Sequence, residues 1–263
     1  MRVRVGDETV DAYCPTTTRI GGLSAADLLG AQVPCLLSVP PCCPGRPQRR
    51  TRFTVEAISL DAPEAPAPSW VGINQTDTNR YMEHFLSSGA LPALCRMPGR
   101  LQREQQLGIC RIDFLYEGRD ALEVKTPLSA FPLERIGNPH LLQALAASKK
   151  KNYLGRTDVT RFLRHLDALQ HALAAQRRAL GLRARPRKAA ARQPGEPRAA
   201  VLHCHLLDAP PPSLASDPGE TPTRAAVRAR IMSALRAGIE LWQVNLLVDE
   251  EGVTLQKYFP ILK

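Results

Sequence analysis

The run Ile109-Cys-Arg-Ile-Asp-Phe-Leu-Tyr116, with Glu117-Gly-Arg-Asp120 and Ala121-Leu-Glu-Val-Lys125 after it, decides how this chain folds. Two short apolar stretches flank a polar turn that contains glycine, a pattern that predicts a β-hairpin. Side-chain alternation places Glu123 and Lys125 on one face of their strand and their apolar neighbours on the other. Asp113 also points away from the apolar residues beside it. If the hairpin aligns these faces, two carboxylates and an ammonium group meet at one place.

These three charged residues suit metal-assisted hydrolysis of a phosphodiester. Mg²⁺ and Mn²⁺ prefer oxygen ligands, so we expect the metal at Asp113 and Glu123, with the Val124 carbonyl as a third ligand. A bound metal lowers the pKa of a water molecule and polarises the phosphoryl oxygen. Lys125 would orient the nucleophile and offset charge on the phosphate. The alternative is an exposed hairpin face with solvated or cross-strand-paired charges, worth under about 1 kcal/mol.

Length and composition indicate a globular protein of one large domain or two ordinary ones. The chain has 263 residues, of which 44% are hydrophobic and 23% charged. It contains no apolar run of the roughly 20 residues that span a membrane. Its first residues lack the apolar core of a signal peptide. Seven scattered cysteines form no disulfide framework and fit a reducing compartment. We therefore expect a cytoplasmic protein without membrane contact.

The charge of the chain is basic and unevenly distributed. The formal net charge is +10, and the segment from Gln176 to Arg198 holds eight basic residues and one acid. Such a surplus favours polyanion partners, nucleic acid before membrane. A solvated, disordered insert near residues 183–198 is the alternative interpretation. No clear signal for an oligomer is present, and a dimer stays an open alternative.

The order of predicted elements indicates two units with a boundary at residue 61. Residues 1–61 read as short strands and turns, which suit a small β-barrel abbreviated at its N-terminus. A Pro-rich connector, Asp61 to Ser69, follows. Residues 62–263 predict a mixed sheet covered by helices. One helix, from about Arg80 to Ser88, carries Glu83 toward the acidic cluster. Another, after Thr160, has an apolar stripe and the basic residues Arg161 and Arg164, which could hold a nucleic-acid backbone.

Other sites of chemistry are weaker. His203 and His205 share one strand face, but no third metal ligand is identifiable, so a structural pair is the preferred interpretation. Cys42-Cys43 is interpreted as part of a loop rather than as half of a zinc site, because the sequence has no second pair of closely spaced cysteines. The sequence has no Gly-rich phosphate loop and no Ser or Cys nucleophile motif.

Motifs in order along nearly the whole chain resemble the sugar fermentation stimulation protein A family. They are Cys14-Pro15 with Thr17 and Arg19, Asn79-Arg80, Arg111-Ile-Asp-Phe114, Glu123-Val-Lys125, Asp158 with Thr160-Arg161, His165-Leu166, Gly238-Ile-Glu240 and the segment from Val253 to Pro260. The chain departs from the family at Tyr13-Cys-Pro-Thr-Thr-Thr18, where the family has His-Cys-Pro-Asn-Thr-Gly. The segment after Lys125 is also expanded.

The resemblance implies an α/β (mixed) protein in which an N-terminal OB-like barrel precedes a restriction-endonuclease-like domain of the PD-(D/E)xK fold. It implies DNA binding, a link to sugar-metabolism genes, and DNA or RNA nuclease activity. The nuclease signature falls on Asp113, Glu123 and Lys125, with Glu83 as the acidic residue of the first helix. The residues expected to contact nucleic acid, DNA rather than RNA, are Arg19, Arg80, Arg161, Arg164 and His165. A non-catalytic DNA-binding regulator of sugar-metabolism genes is the alternative function.

Overall fold

The computed structural model describes residues 1–16, 33–39, 50–96, 99–108, 110–128, 136–147, 156–182, 195–212 and 222–261. Within its helices, the side chains of residues 144–147, 156–159 and 223–224 are not described. Arg19, Cys42, Cys43 and residues 183–194 of the predicted basic insert therefore lie outside the described residues.

The first sheet is built from five short strands near the N-terminus. They are β1 (Arg2–Val5), β2 (Glu8–Tyr13), β3 (Cys35–Ser38), β4 (Phe53–Ser59) and β5 (Trp70–Gly72). Their order is β1-β2-β4-β3, and β5 also pairs with β4. Within the described residues these strands form an open sheet rather than a closed barrel. The predicted connector lies between β4 and β5, so both of its ends belong to this sheet, and the boundary at residue 61 stays a prediction.

The second sheet has six strands and carries the predicted hairpin. Its strands are β6 (Leu101–Leu107), β7 (Cys110–Tyr116), β8 (Asp120–Lys125), β9 (Ala199–His205), β10 (Glu240–Val248) and β11 (Val253–Pro260). They lie in the order β11-β10-β9-β8-β7-β6. The three central strands β8, β9 and β10 are parallel, whereas the outer pairs are antiparallel. This mixture of pairings, with helices beside the sheet, confirms the predicted mixed α/β class.

Helices cover both faces of the second sheet. The helices on these faces are α1 (Thr78–Ser87), α3 (Arg156–Ala179) and α4 (Pro222–Arg236). The other described helix, α2 (Pro139–Ala147), packs against the first sheet, where its Leu141 shares a core with Val55 and Ile58. Met82 and Leu86 of α1 share a core with Leu122 and Leu202 on one face. On the other face, α3 and α4 enclose a second core together with alternate residues of β8 and β9. Burial of these apolar faces is the main force that holds helices on a sheet.

The two sheets meet at Gly72. Its N–H donates a hydrogen bond of 2.8 Å to the carbonyl of Leu206. A Cβ at this position would lie 2.5 Å from the Cβ of Leu206 and 2.9 Å from a methyl of Val248. Because only glycine permits this approach, β5 links the sheets directly.

Two elements were missing from the sequence prediction. β6 is an edge strand of mostly polar residues, and such strands carry charge that hides the apolar alternation. α2 lies in the expanded segment after Lys125, where no helix was predicted, and α3 begins at Arg156, before the start predicted after Thr160. No helix among the described residues is long and apolar enough to cross a membrane. The cytoplasmic location stays a prediction.

Candidate metal and phosphodiester site

The sheet is irregular at Asp113 on both sides of β7. The paired residues of β7 and β8 run from Tyr116↔Asp120 to Phe114↔Leu122, so Asp113 and Glu123 come directly after the last pair. On the other side, Glu104 stands opposite Asp113 and has a φ of 51°. A left-handed φ at a non-glycine residue costs energy and interrupts the ladder. The strands therefore part where the two carboxylates lie.

The side chain of Asp113 occupies the gap between the strands. Its Oδ2 accepts a hydrogen bond of 2.7 Å from the backbone N–H of Val124. Its Oδ1 accepts one of 2.8 Å from the Nδ2 of Asn79 on α1. Burial raises the pKa of Asp113, and the charge of Glu123 raises it further. These effects outweigh the two hydrogen bonds and the charge of Lys125, which lower the pKa.

Glu123 is a buried carboxylate with its two oxygens in different environments. The side chain is only 2% exposed. Its Oε1 contacts both Lys125 Nζ and His165 Nδ1, whereas Oε2 has no hydrogen-bond partner among the described residues. Burial acts to raise the pKa of Glu123, but the hydrogen bond from His165 and the charge and hydrogen bond of Lys125 hold it below its ordinary value. The glutamate is therefore ionised at neutral pH.

Strand alternation and the packing of α3 explain why Lys125 and His165 reach Glu123. β8 pairs in parallel with β9, so Glu123 stands beside Val201 and Lys125 beside His203. This face of the sheet is covered by α3, whose Leu166 is 2% exposed in the core. The neighbouring His165 is thereby held over the carboxylate. Lys125 stays 26% exposed, so its ammonium borders solvent.

Glu83 lies on α1 but is not brought to the carboxylate pair. It forms an ion pair of 3.0 Å with Arg103 of β6, and both side chains are more than a third exposed. The residue of α1 that contacts Asp113 is Asn79, one helical turn before Glu83. Asn79 stood only in a motif of the family resemblance, but α1 begins at Thr78, so the Asn79 amide reaches Asp113 from the first turn of the helix. The sequence signal for Asn79 was its position four residues before Glu83, which places both side chains on the same face of the helix.

The residues predicted to contact nucleic acid differ in position. Arg161 and Arg164 are exposed on α3, in the turn that precedes and includes His165. His165 itself is 15% exposed and bonded to Glu123. Arg80 is 68% exposed, forms an ion pair of 3.4 Å with Asp77 and lies 5.7 Å from the ring centre of Tyr81. The first two arginines thus share α3 with His165, which contacts Glu123, while Arg80 belongs to the start of α1.

Two histidines of β9 continue the polar face beside Lys125. Burial, the charge of His205 and that of Lys125 lower the pKa of His203 to about 4. Burial also lowers the pKa of His205 to about 4. Both rings are therefore neutral at neutral pH. Among the described residues no group of three or more His, Cys, Asp or Glu side chains could hold a metal ion. A metal at the hairpin would consequently be held by fewer than three such side chains, with backbone or water oxygens completing its shell.

The end of the predicted basic insert is part of the core. Arg198 is 7% exposed and holds both carboxylate oxygens of Glu240. It also donates to the carbonyls of Ala93 and Leu94 and lies 5.5 Å from the ring centre of Trp242. This arginine is structural, and its charge is not available to a polyanion.

Curated relatives and a solved structure share a name with the family that the motifs resemble. A sugar fermentation stimulation protein homolog from Picosynechococcus sp. (strain ATCC 27264 / PCC 7002 / PR-6) is 31% identical over 175 residues, 59% of this chain and 65% of the relative. A second homolog, from Synechococcus sp. (strain JA-2-3B'a(2-13)), is 37% identical over 122 residues, 45% of this chain and 44% of the relative. This chain is similar in sequence to the sugar fermentation stimulation protein homologs. The matches span less than two thirds of each relative's length.

The fold also agrees with a solved structure of that name. The structure of Pyrococcus furiosus SfsA in complex with Ca²⁺ is similar to this chain, with a TM-score of 0.57 and 16% identity. The match covers 98% of this chain and 88% of the chain in that structure. The likeness concerns the fold alone at this identity, and it agrees with an OB-like unit followed by a nuclease-like one. The chain matches no family model.

Proposed function

We propose that this protein binds nucleic acid, DNA before RNA, and hydrolyses its phosphodiester bonds with Mg²⁺ or Mn²⁺. The observation that carries the proposal is that the two carboxylate oxygens of Glu123 have different environments. Oε1 is held by Lys125 and His165, and Oε2 is buried without a partner among the described residues. A buried oxygen left unpaired costs about 1–3 kcal/mol, which a ligand at that atom would offset.

The donor set of the gap fits a hard divalent cation. Two carboxylates lie together, and their mutual repulsion contributes to the raised pKa of Asp113. The carbonyl of Val124 leaves β8 on the same edge as its N–H, which points at Asp113, because both backbone groups of a strand residue face one neighbour. Carboxylate and carbonyl oxygens are the ligands that Mg²⁺ prefers, with water completing the shell. The relative described in complex with Ca²⁺ supports a divalent ion of this kind.

The side chains around the gap have separate tasks. When bound, the metal supplies a water of lowered pKa and neutralises charge on the phosphate. Asn79 and the Val124 N–H fix both oxygens of Asp113. Lys125, partly exposed beside Glu123, donates to the scissile phosphate or to the attacking water. Arg161 and Arg164 hold the flanking phosphates without reading bases.

A cleavage assay tests the proposal. DNA and RNA are incubated with Mn²⁺ and with the wild type, Asp113→Asn, Lys125→Ala or Glu83→Gln. We expect both site variants to lose cleavage by at least a hundredfold. Glu83→Gln is the matched control, because it also removes a carboxylate of the predicted signature yet lies against Arg103. Equal cleavage by all four proteins would refute the site.

The exposed arginines of α3 favour a second candidate function, a DNA-binding regulator without catalysis. They can contact phosphates whether or not the carboxylates hold a metal. This candidate predicts salt-sensitive DNA binding with no Mn²⁺-stimulated cleavage by the wild type.

A further inference from the structure

We infer that His165 is a positioning residue that keeps one oxygen of Glu123 occupied so that the other faces the metal. This inference rests on the proposed function and deepens it. Two donors, His165 Nδ1 and Lys125 Nζ, meet at Oε1, while Oε2 has no partner among the described residues. Rotation of the carboxylate would break both contacts at once.

The two donors are not equivalent. Lys125 is a flexible ammonium, 26% exposed, on the same strand as Glu123. The proposed function asks it to donate to a phosphate or a water, and it must leave Oε1, at least in part, to do so. His165 is 15% exposed and comes from a different element. It therefore holds Glu123 while Lys125 is engaged with substrate.

The packing of α3 gives His165 the rigidity that this task needs. The next residue, Leu166, is 2% exposed, and Leu169 and Leu173 continue the stripe into the same core. Ala121 and Val201, beside Glu123 in the sheet, belong to that core too. Histidine and glutamate are thus fixed to one packed layer. A carboxylate only accepts hydrogen bonds when ionised, so Nδ1 of His165 carries the proton in this contact.

The same helix offers a matched control. His171 lies on α3 in an exposed position, six residues after His165. His165→Asn keeps an N–H donor near the position of Nδ1, whereas His165→Ala removes it. Partners that orient a metal ligand typically change metal affinity by 10- to 100-fold when they are removed.

Calorimetric titration of the full chain with Mn²⁺ tests the inference without any cleavage. We expect His165→Ala to weaken Mn²⁺ binding by about 10- to 100-fold, His165→Asn to recover most of it, and His171→Ala to bind like the wild type. A second readout is cleavage at rising Mn²⁺, which should restore His165→Ala but not Lys125→Ala. Circular dichroism checks that each variant is folded.

The outcomes separate this inference from the proposed function. If the wild type binds and cleaves but His165→Ala binds Mn²⁺ equally well, the positioning role is wrong and the proposed function stands. The positioning role is also wrong if His165→Asn is as weak as His165→Ala. If the wild type binds no Mn²⁺, both are overturned.

Discussion

The carboxylate of Asp113 accepts the backbone N–H of Val124 at 2.7 Å, across the point where β7 and β8 stop pairing. A side chain of one strand therefore takes the hydrogen bond that the ladder would have supplied. This contact fixes Asp113 next to Glu123, and the charge of Glu123 adds to the effect of burial on the pKa of Asp113. The carboxylates of Asp113 and Glu123 repel each other, and a bound cation would offset that repulsion.

Asp113→Asn should stabilise the metal-free protein at neutral pH. The folded-state pKa of Asp113 lies above its ordinary value of 3.8. A raised carboxyl pKa contributes stability at acid pH that is lost as the pH rises through the folded pKa. The amide oxygen keeps an acceptor for the Val124 N–H, and the charge is removed. The new NH₂ group faces Asn79, whose amide must turn its oxygen toward it to keep that hydrogen bond. Thermal melts from pH 4 to pH 8 measure this, and we expect the advantage of the variant to grow with pH. A lower melting temperature for the variant at pH 8 would contradict the repulsion.

Mn²⁺ should make the wild type more stable than Asp113→Asn, the reverse of the order expected without metal. Added metal should raise the melting temperature of the wild type more than that of Asp113→Asn, since binding to the folded state alone stabilises it. Glu83→Gln serves as the control and should respond like the wild type. Equal shifts in all three proteins would place the metal elsewhere.

Glu123→Gln should destabilise the protein by about 1–3 kcal/mol, because it leaves the donors of Lys125 and His165 without an ionised acceptor. The folded-state pKa of Glu123 lies below its ordinary value of 4.5. Its stabilising contribution is therefore present above that value and lost as the pH falls through the folded pKa. Urea unfolding at pH 7 and pH 3 measures the difference, which should shrink at the lower pH. A constant difference would show that the charge is not responsible.

These features differ in how far the sequence predicts them. Alternation was enough to place Glu123 and Lys125 on one strand face, where these residues, two apart, come into contact. The parting of β7 and β8 at Asp113, and the left-handed backbone of Glu104 on the other side of β7, follow no residue pattern in the sequence. Helix periodicity identified the stripe of α3 from Phe162 to Leu173. It could not choose between Asn79 and Glu83, because a shift of one turn leaves the same residues on the same face.

Composition was misleading where charge is buried. The Arg-, Pro- and Ala-rich segment predicts a solvated insert, and yet Arg198 at its end lies in the core against Glu240 and Trp242. The signal lies in the strand that begins at the next residue, Ala199, since a charged residue at a strand end can be drawn inside by a partner from the neighbouring strand.

Arg198→Lys should therefore destabilise the fold without changing DNA binding. A lysine cannot reproduce two contacts to Glu240 together with those to the carbonyls of Ala93 and Leu94. We expect a loss of about 3 kcal/mol in the free energy of unfolding. Arg178→Lys, at the exposed end of α3, is the matched control and should lose almost nothing. If Arg198→Lys instead weakens DNA binding at unchanged stability, the arginine is part of the interface.

Replacement of both Arg161 and Arg164 by alanine should weaken DNA binding at all sequences alike. Each phosphate contact contributes about 0.9 to the slope of log affinity against log salt, so two contacts reduce that slope by about 2. Arg178, about 21 Å along the helix from Arg164 and about 25 Å from Arg161, offers Arg178→Ala as the control for charge. Fluorescence anisotropy with labelled duplexes between 50 mM and 200 mM salt, about the range in which such slopes are resolved, measures the effect. An unchanged slope would remove α3 from the interface.

The most direct test of the central claim is the anomalous density of Mn²⁺ in crystals of the wild type. The account predicts one peak in the gap between β7 and β8, bonded to Asp113, to the Oε2 of Glu123 and to the carbonyl of Val124, with His165 still on Oε1. A crystal in saturating Mn²⁺ with no peak at these oxygens, or with its peak at His203 and His205, would contradict it.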